Sequence, residues 1–249
     1  MYELYVIPGS HACRSAIMML ERKRVPFEVH ELTTLLHPVL ARMHGFDAGG
    51  QRRVAGSSRT PALRLGDALA TVPGLADGDT RVSTNYRIAR YLDARHPDVP
   101  LVPRERRAEV EAIEAWANHL LQMEARRVLT GAAITDAATF SMAAANGRMG
   151  PLLYRHPTAR RAVMPLLRWF FAAETSEDQA RIARLPELLD KIDAWIADGV
   201  IGTAEPNVAD FMIAPSLALM LYRQDIRPLF RGRACLAMVD RLLPEPSTQ

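Results

Sequence analysis

The sequence predicts an α/β region followed by an all-helical region. A short, mostly apolar run at the N-terminus passes directly into an amphipathic helix, and strand and helix patterns alternate up to residue 96. Three prolines lie within His96–Pro103, a stretch that cannot continue a helix. Beyond it, apolar residues recur at helical spacing to the end of the chain. We therefore predict one domain at 1–96, a linker at 97–103 and a second domain at 104–249.

The elements of the first domain follow from local patterns. Glu3–Ile7 has the composition of a buried strand, Val25–Leu32 alternates apolar and polar residues, and Pro61 can head a strand because it donates nothing to the ladder. Glycine-rich and polar composition predicts loops at Gly49–Ser58 and Gly66–Asp79. The predicted elements are strand Glu3–Ile7, helix Ala12–Lys23, strand Val25–Leu32, weak helix Leu35–Met43, strand Pro61–Leu65, strand Arg81–Ser83 and helix Tyr86–Arg95.

The second domain is predicted to contain helices alone. Asn207 followed by Asp210 is a capping-box pattern, which marks the start of one of them. The predicted helices are Arg104–Thr130, Ala137–Asn146, Ala159–Glu174, Ser176–Asp198, Val208–Tyr222 and Arg227–Leu242.

Composition excludes several classes of protein. The net charge is +3, and the arginines are interleaved with acids rather than gathered in a tail, so we expect no nucleic-acid partner. No apolar run approaches the ~18 residues of a membrane span. Cys13 and Cys235 are too few for a disulfide scaffold, and no metal-ligand spacing or dinucleotide-type glycine loop is present in the sequence. We expect a cytoplasmic protein without a metal site, and without membrane association, whose cysteines remain thiols.

The turn Pro8–Cys13 is the strongest candidate site. It joins the first strand to the first helix, where unpaired backbone N–H groups carry partial positive charge. Such a position stabilises a thiolate, whether the protein's own or a ligand's. Ser10 is expected as a helix N-cap or as a hydroxyl that contacts ligand, and the two roles are compatible. Cys13 is either a buried, inert thiol or a redox thiol, and His11 is expected to be exposed beside them.

Three other residues near this turn have simpler interpretations. Tyr5 in the first strand is expected in the core, with a catalytic role as the alternative. Arg14 and Arg22 are expected to lie on a solvated helix face.

Four stretches, in this order and at these separations, resemble motifs of the glutathione S-transferase superfamily. They are Ser10–Cys13 (the Ser/Cys-x-x-Ser/Cys turn), Arg59–Leu63 (a V-P-A-L segment with a cis proline), Ile88–Asp93 (the third helix) and Asn207–Phe211 (the capping box). The chain most resembles the arginine- and alanine-rich bacterial members. The resemblance implies a thioredoxin-like N-terminal domain followed by the all-helical C-terminal domain of that superfamily.

The resemblance also implies roles for individual residues. Ser10 would donate its hydroxyl hydrogen to the sulfur of bound glutathione, and Cys13 would occupy the second position of the motif. Thr60 and Pro61, joined by a cis peptide, would present backbone groups to the thiol, and His11 would lie beside it.

The clearest departure from the pattern is at Thr84 and Asn85. The superfamily usually has Glu-Ser or Asp-Ser there, a pair that holds the γ-glutamyl end of glutathione. Thr84 has no charge to offer an ammonium group, whereas Asn85 could donate to a carboxylate. Alternatively, these two residues simply cap the helix, and the thiol is a different one.

Three functions remain open from the sequence. The first is a transferase that activates glutathione or a related thiol for attack on a hydrophobic electrophile, with the thiol as co-substrate, no other cofactor and a homodimeric state. The second is a thiol–disulfide or dehalogenase-like enzyme that depends on Cys13. The third is a non-catalytic protein that shares the fold and binds ligands.

Overall fold

A four-stranded mixed sheet forms the first part of the molecule. The computed structural model describes residues 1–47, 60–61, 68–135, 148–149 and 165–245. The strands are β1 (Tyr2–Val6), β2 (Phe27–Glu31), β3 (Gly74–Asp77) and β4 (Thr80–Ser83). β1 pairs in parallel with β2 and antiparallel with β3, and β4 pairs antiparallel with β3. The sheet order is therefore β2-β1-β3-β4.

Helices cover the two faces of this sheet. Leu4 of β1 is buried in the main core with α1 (His11–Lys23) and α3 (Asn85–Arg95), whereas its neighbour Tyr5 is buried in a smaller cluster with α2 (His37–Met43). Successive strand residues point to opposite faces, so β1 contributes to both cores. The predictions of β1, α1, β2, α2, β4 and α3 are confirmed to within a few residues.

The prediction of a loop at Gly66–Asp79 was wrong, because the strand that pairs with β1 and β4 lies within it, at Gly74–Asp77. Residues 62–65 of the strand predicted at Pro61–Leu65 lie outside the described residues. Gly74 meets a specific packing requirement, because a Cβ at this position would lie 2.8 Å from Cε1 of Phe46. The ring of Phe46 therefore packs directly on the backbone of β3.

The predicted cis peptide was also wrong in position. In the described part of the chain the cis bond is Val72–Pro73, immediately before β3, and not Thr60–Pro61. Thr60 is buried, and its hydroxyl donates to the carbonyl of Phe170, within a helical stretch at 165–171. Thr60 thus contacts the helical region.

The remainder of the described chain is helical. The predicted helix Arg104–Thr130 is present, interrupted by one π-helical turn, and the expected helix Arg227–Leu242 is broken by Gly232, whose φ is 74°. Ala137–Asn146 and residues 159–164 lie outside the described residues. The elements are α4 (Arg107–Trp116), the π turn (Ala117–Leu121), α5 (Gln122–Thr135), α6 (Thr175–Ala197), α7 (Val208–Met220), a 3-10 helix (Gln224–Phe230) and α8 (Ala234–Leu242).

Helix α7 is buried along its whole length and packs against α1 and α5. Its predicted capping box is confirmed. Asn207 Oδ1 accepts from the N–H of Ala209 at 2.9 Å, while Asp210 accepts from the N–H groups of Asn207 at 2.9 Å and Gly202 at 2.6 Å. Among the helices that the structure describes, none is both long enough and apolar enough to cross a bilayer.

A buried ion pair fixes the segment that follows α3. The Nζ of Lys23, at the end of α1, lies 2.6 Å from Oδ1 of Asp93 in α3. The same carboxylate accepts from the N–H groups of Leu101 at 2.7 Å and Val102 at 3.0 Å. The segment predicted as a linker is therefore held against both helices.

Candidate active site at the N-terminus of helix α1

Ser10 caps helix α1, as one of the two interpretations of this residue predicts. Its backbone is extended (φ −79°, ψ 118°), and its Oγ accepts from the N–H of Cys13 at 3.3 Å. Because β1 ends at Val6, the hydroxyl lies just beyond the end of the strand, where the helix dipole is positive. A hydroxyl that accepts at a cap still carries one hydrogen to donate.

Cys13 is buried, with 1% of its surface exposed. Burial raises the pKa of its thiol, an effect that is opposed by the hydrogen bond with Ser10 and by the charge of Arg126. A raised pKa favours the thiol over the reactive thiolate at neutral pH. The geometry therefore favours the inert interpretation of Cys13.

His11 was expected to be exposed, and this was wrong: 2% of its surface is exposed. The first turn of α1 packs against α7, and Nδ1 of His11 lies 3.2 Å from Oγ of Ser216. Its Nε2 is buried without a hydrogen-bond partner among the residues that the structure describes. Burial, and next the charge of Arg126, hold the pKa of His11 well below 6.5, so the ring is neutral.

Tyr5 belongs to the core, as expected. Its hydroxyl donates to Glu3 at 2.9 Å, and its ring stacks on that of His30 with centroids 4.9 Å apart. These contacts lie in the cluster packed against α2, on the face of the sheet away from α1.

The N-terminus of α3 meets that of α1. Asn85 is buried, and its Nδ2 donates to the carbonyl of Ala12 at 2.9 Å, while its Oδ1 has no partner in the described structure. The N–H of Thr84 donates to the carbonyl of Pro73 at 3.1 Å. Val72–Pro73, Thr84–Asn85 and the first turn of α1 therefore form one corner, on the β3 side of Ser10.

Thr84 has an unusual backbone conformation. Its φ is 75° and its ψ is 144°, and its Oγ1 accepts from the N–H of Arg87 at 3.5 Å. A positive φ is rare for a β-branched residue and marks stored strain, which is concentrated at functional sites.

A cavity of about 310 Å³ opens on the other side of Ser10. Its lining includes Ser10 and Cys13 from the α1 turn, and Val29 and Glu31 from β2. Because β2 and β3 flank β1 on opposite sides, this cavity and the Thr84 corner lie on opposite sides of the serine. Arg14, Arg148 and several apolar side chains complete the wall.

Comparison with solved structures identifies the fold. Glutathione transferase GSTFuA3 from Phanerochaete chrysosporium is 14% identical with a TM-score of 0.68, and the match covers 100% of this chain and 98% of that one. GSTFuA2 from the same organism is 17% identical with a TM-score of 0.67, over 97% and 96%. CsGST83044 of Ceriporiopsis subvermispora, solved in complex with glutathione, is 16% identical with a TM-score of 0.64, over 97% and 96%. This chain has the glutathione transferase fold.

The match found by sequence comparison covers a much smaller part of the chain. Over 37 residues the chain is 43% identical to glutathione S-transferase Z1 of Arabidopsis thaliana, a match that covers 15% of this chain and 17% of that protein. No family model matches the chain. The shared glutathione transferase fold confirms the predicted fold class, and a fold alone does not determine activity or substrate.

Val72 was not identified from the sequence as the residue before the cis proline. Val72-Pro73-Gly74-Leu75 matches the V-P-A-L pattern more closely than Arg59–Leu63 does, and this signal was present in the sequence. The arginines of the cavity were also missed. Arg14 lines the cavity rather than lying on a purely solvated face, and nothing in the sequence around Arg148 indicates that it lines the same cavity as Ser10.

Proposed function

We propose that this protein is a glutathione transferase-like enzyme that binds a small thiol, activates it at Ser10 and transfers it to an electrophile. The observation that carries the proposal is the place of the Ser10 hydroxyl, at the N-terminus of α1 between the Thr84 corner and a cavity. The shared fold and the presence of glutathione in the structure of CsGST83044 support glutathione as the first thiol to test.

The Ser10 hydroxyl and the N-terminus of α1 supply the groups that this reaction needs. The Ser10 hydroxyl donates a hydrogen bond to the sulfur, and the helix dipole stabilises its negative charge. Both effects lower the pKa of the thiol from about 8.5. Each pKa unit corresponds to about 1.4 kcal/mol of added preference for the thiolate over the thiol. The thiol proton leaves to solvent, the thiolate forms a bond to the electrophilic carbon, and the leaving group departs with its bonding pair.

The corner on the β3 side is the proposed binding place of the thiol. Backbone groups of Val72 take the role that the resemblance assigned to Thr60 and Pro61. Thr84 offers no charge to an ammonium group, and the amide of Asn85 is engaged with Ala12. We therefore expect weaker binding of glutathione than an acidic residue at position 84 would give.

Two variants test the role of Ser10. With glutathione and chlorodinitrobenzene, Ser10→Ala should lower turnover about 100-fold, a loss typical of one donor to a developing or resident anion. Cys13→Ala, the matched control three residues away, should stay within about twofold because its thiol is buried and protonated. Calorimetric titration with glutathione should show binding that weakens in Ser10→Ala.

The remaining outcomes separate the alternatives. Unchanged turnover in Ser10→Ala would refute the assigned role. Loss of activity in Cys13→Ala, with rapid alkylation of Cys13 at neutral pH, would favour the thiol–disulfide enzyme. Saturable ligand binding without turnover of any thiol would favour the non-catalytic protein.

The proposal extends to assembly and compartment. By resemblance we propose a homodimer in the cytoplasm, where its two cysteines remain thiols. Sedimentation equilibrium of the purified protein tests the first statement.

A further inference from the structure

Strand β2 lies at an edge of the sheet and presents main-chain groups to a further strand. Its only neighbour among the strands that the structure describes is β1. The carbonyl of Pro26 and the N–H of Leu32 bond to β1, at 3.2 and 2.7 Å. Main-chain groups point to alternate sides along a strand, so those of Phe27, Val29 and Glu31 face away from β1. An edge of this kind is a template on which another chain can pair.

β2 is complementary to a second copy of itself that runs antiparallel, since its five residues read FEVHE. With the two-fold axis at Val29, Glu28 of each chain lies opposite the partner's His30, so a carboxylate acceptor meets an imidazole donor. Glu28 is exposed and the side chain of His30 is 35% exposed, so both can reach a partner. Moving the axis by one residue places Glu28 opposite the partner's Glu28, or His30 opposite the partner's His30. Charge therefore selects one register.

The same register satisfies the main-chain groups at this edge. Val29 pairs with the partner's Val29 through two reciprocal hydrogen bonds, each from an N–H to a carbonyl. Phe27 pairs with the partner's Glu31 in the same way, and the two-fold axis repeats that pair at the other end of the strand. All three residues that face away from β1 thereby gain partners.

Exposed apolar side chains are concentrated in the same stretch of chain. Of the ten large apolar side chains that are exposed among the described residues, five lie between residues 29 and 43. They are Val29 and, in α2 and the turn before it, Leu35, Leu36, Val39 and Met43, each more than 40% exposed. Grouped apolar side chains at the surface are typical of places where proteins associate.

We propose that two copies of this chain pair through β2, antiparallel and with the two-fold axis at Val29, so that their sheets join into one. The pairing rests on the homodimeric state given in the proposed function and assigns its surface. Val29 and Glu31 also line the cavity beside Ser10. Opposite residues of paired strands project from the same face, so the partner's Phe27 lies beside Glu31 and adds an aromatic side chain at that rim of the cavity.

Val29→Pro removes the central donors of this pairing and spares the β1–β2 ladder, because the N–H of Val29 faces away from β1. Sedimentation equilibrium of the wild type should give twice the 27.7 kDa of one chain. Val29→Pro should weaken self-association about 30-fold, through the loss of two reciprocal hydrogen bonds. Val29→Thr is the matched control: it keeps the N–H and the β-branched shape, and should stay within about threefold of the wild type.

An engineered disulfide tests the register independently. The Cα atoms of a hydrogen-bonded antiparallel pair lie about 5.5 Å apart, a separation that a disulfide can span. Val29→Cys should therefore give a covalent dimer on oxidation with copper–phenanthroline. Glu28→Cys, one residue away, should not, because the position opposite it is His30 of the partner subunit. The natural thiols of Cys13 and Cys235 are buried, so the wild type should give no linked dimer.

The outcomes separate this surface from the rest of the proposed function. A wild type that stays monomeric would overturn the pairing and the homodimeric state together, while the thiol chemistry is judged by its own turnover assay. A dimer that Val29→Pro does not weaken, or that Val29→Cys does not link, would overturn the pairing alone. Equal linking of Val29→Cys and Glu28→Cys would overturn the register about Val29.

Discussion

Thr84 holds a backbone conformation that threonine rarely adopts, and it does so at the corner proposed for the thiol. With φ at 75°, the residue stores of the order of 1 kcal/mol that the surrounding structure must offset. Thr84→Gly removes this strain, and glycine at an N-cap costs only a few tenths of a kcal/mol. We expect the free energy of unfolding to rise by about 1 kcal/mol in urea titrations.

The matched variant at this position is Thr84→Ser. It keeps the hydroxyl and the strain, so its stability should stay within about 0.5 kcal/mol of the wild type. A Thr84→Gly protein less stable than Thr84→Ser would contradict the assignment of strain. Glutathione affinity measured on both variants then reports whether the fixed backbone at Thr84 contributes to binding.

Individual residues were predictable when their partners are close in sequence. Ser10 and Asn207 cap helices through N–H groups two or three residues away, so the local pattern is sufficient. The burial of His11 depends on Ser216, 205 positions later, and no pattern around His11 carries that information. The charged groups of the cavity were missed for the same reason.

At the scale of elements, Asp93 joins α1, α3 and the segment after α3. One carboxylate accepts from the buried ammonium of Lys23 and from two backbone N–H groups. Asp93→Ala leaves the Lys23 charge buried, with the carbonyl of His96 as its remaining described acceptor. Breaking such a pair from one side costs about 3 kcal/mol, and we expect that loss in chemical denaturation.

An exposed ion pair at the start of α4 provides the control for this variant. Arg106 and Glu109 are 2.9 Å apart with side chains 44% and 53% exposed, so Glu109→Ala should cost under about 1 kcal/mol. The double variant Lys23→Met/Asp93→Ala should recover part of the loss, because it removes the stranded charge. Equal costs for Asp93→Ala and Glu109→Ala would show that the linker is not anchored in this way.

Elements were predictable where one pattern had no competitor, as in β1, α1 and α7. The third strand had two candidates, because apolar residues follow a proline both at Pro61 and at Pro73. What separates them is long-range: Gly74 pairs with Tyr5 and lies under the ring of Phe46. The predicted helix Arg227–Leu242 shows a related effect, since Gly232 breaks a run that has helical periodicity.

For the whole molecule, two buried groups, Glu114 and His11, change the free energy of unfolding with pH in opposite directions. Burial raises the pKa of Glu114, between α3 and α4, to about 7, although Arg90 lies 2.5 Å away and partly offsets the shift. The folded state therefore holds a proton that the unfolded chain releases above about pH 4.5. The stabilisation linked to this proton is present below pH 4.5 and is lost as the pH rises to 7.

His11 acts in the opposite direction from the junction of α1 and α7. The pKa of His11 is lowered in the folded state. Below about pH 6.5 the unfolded chain therefore binds a proton at this residue that the folded protein does not bind. Stability contributed by the neutral ring is present above pH 6.5 and is lost as the pH falls. Between pH 5 and 6.5 the two groups thus change stability in opposite senses, each by up to about 1.4 kcal/mol per pH unit.

Single variants should separate these two opposed slopes. Relative to the wild type, Glu114→Gln should make the free energy of unfolding rise more steeply with pH, because the effect of His11 is then unopposed. His11→Asn should make it fall more steeply over the same range, through the proton on Glu114. Urea titrations at several pH values between 5 and 7 measure how the free energy of unfolding changes with pH. A loss of packing alone would displace this curve without changing its slope. Parallel curves for all three proteins would mean that neither group is buried as the fold requires.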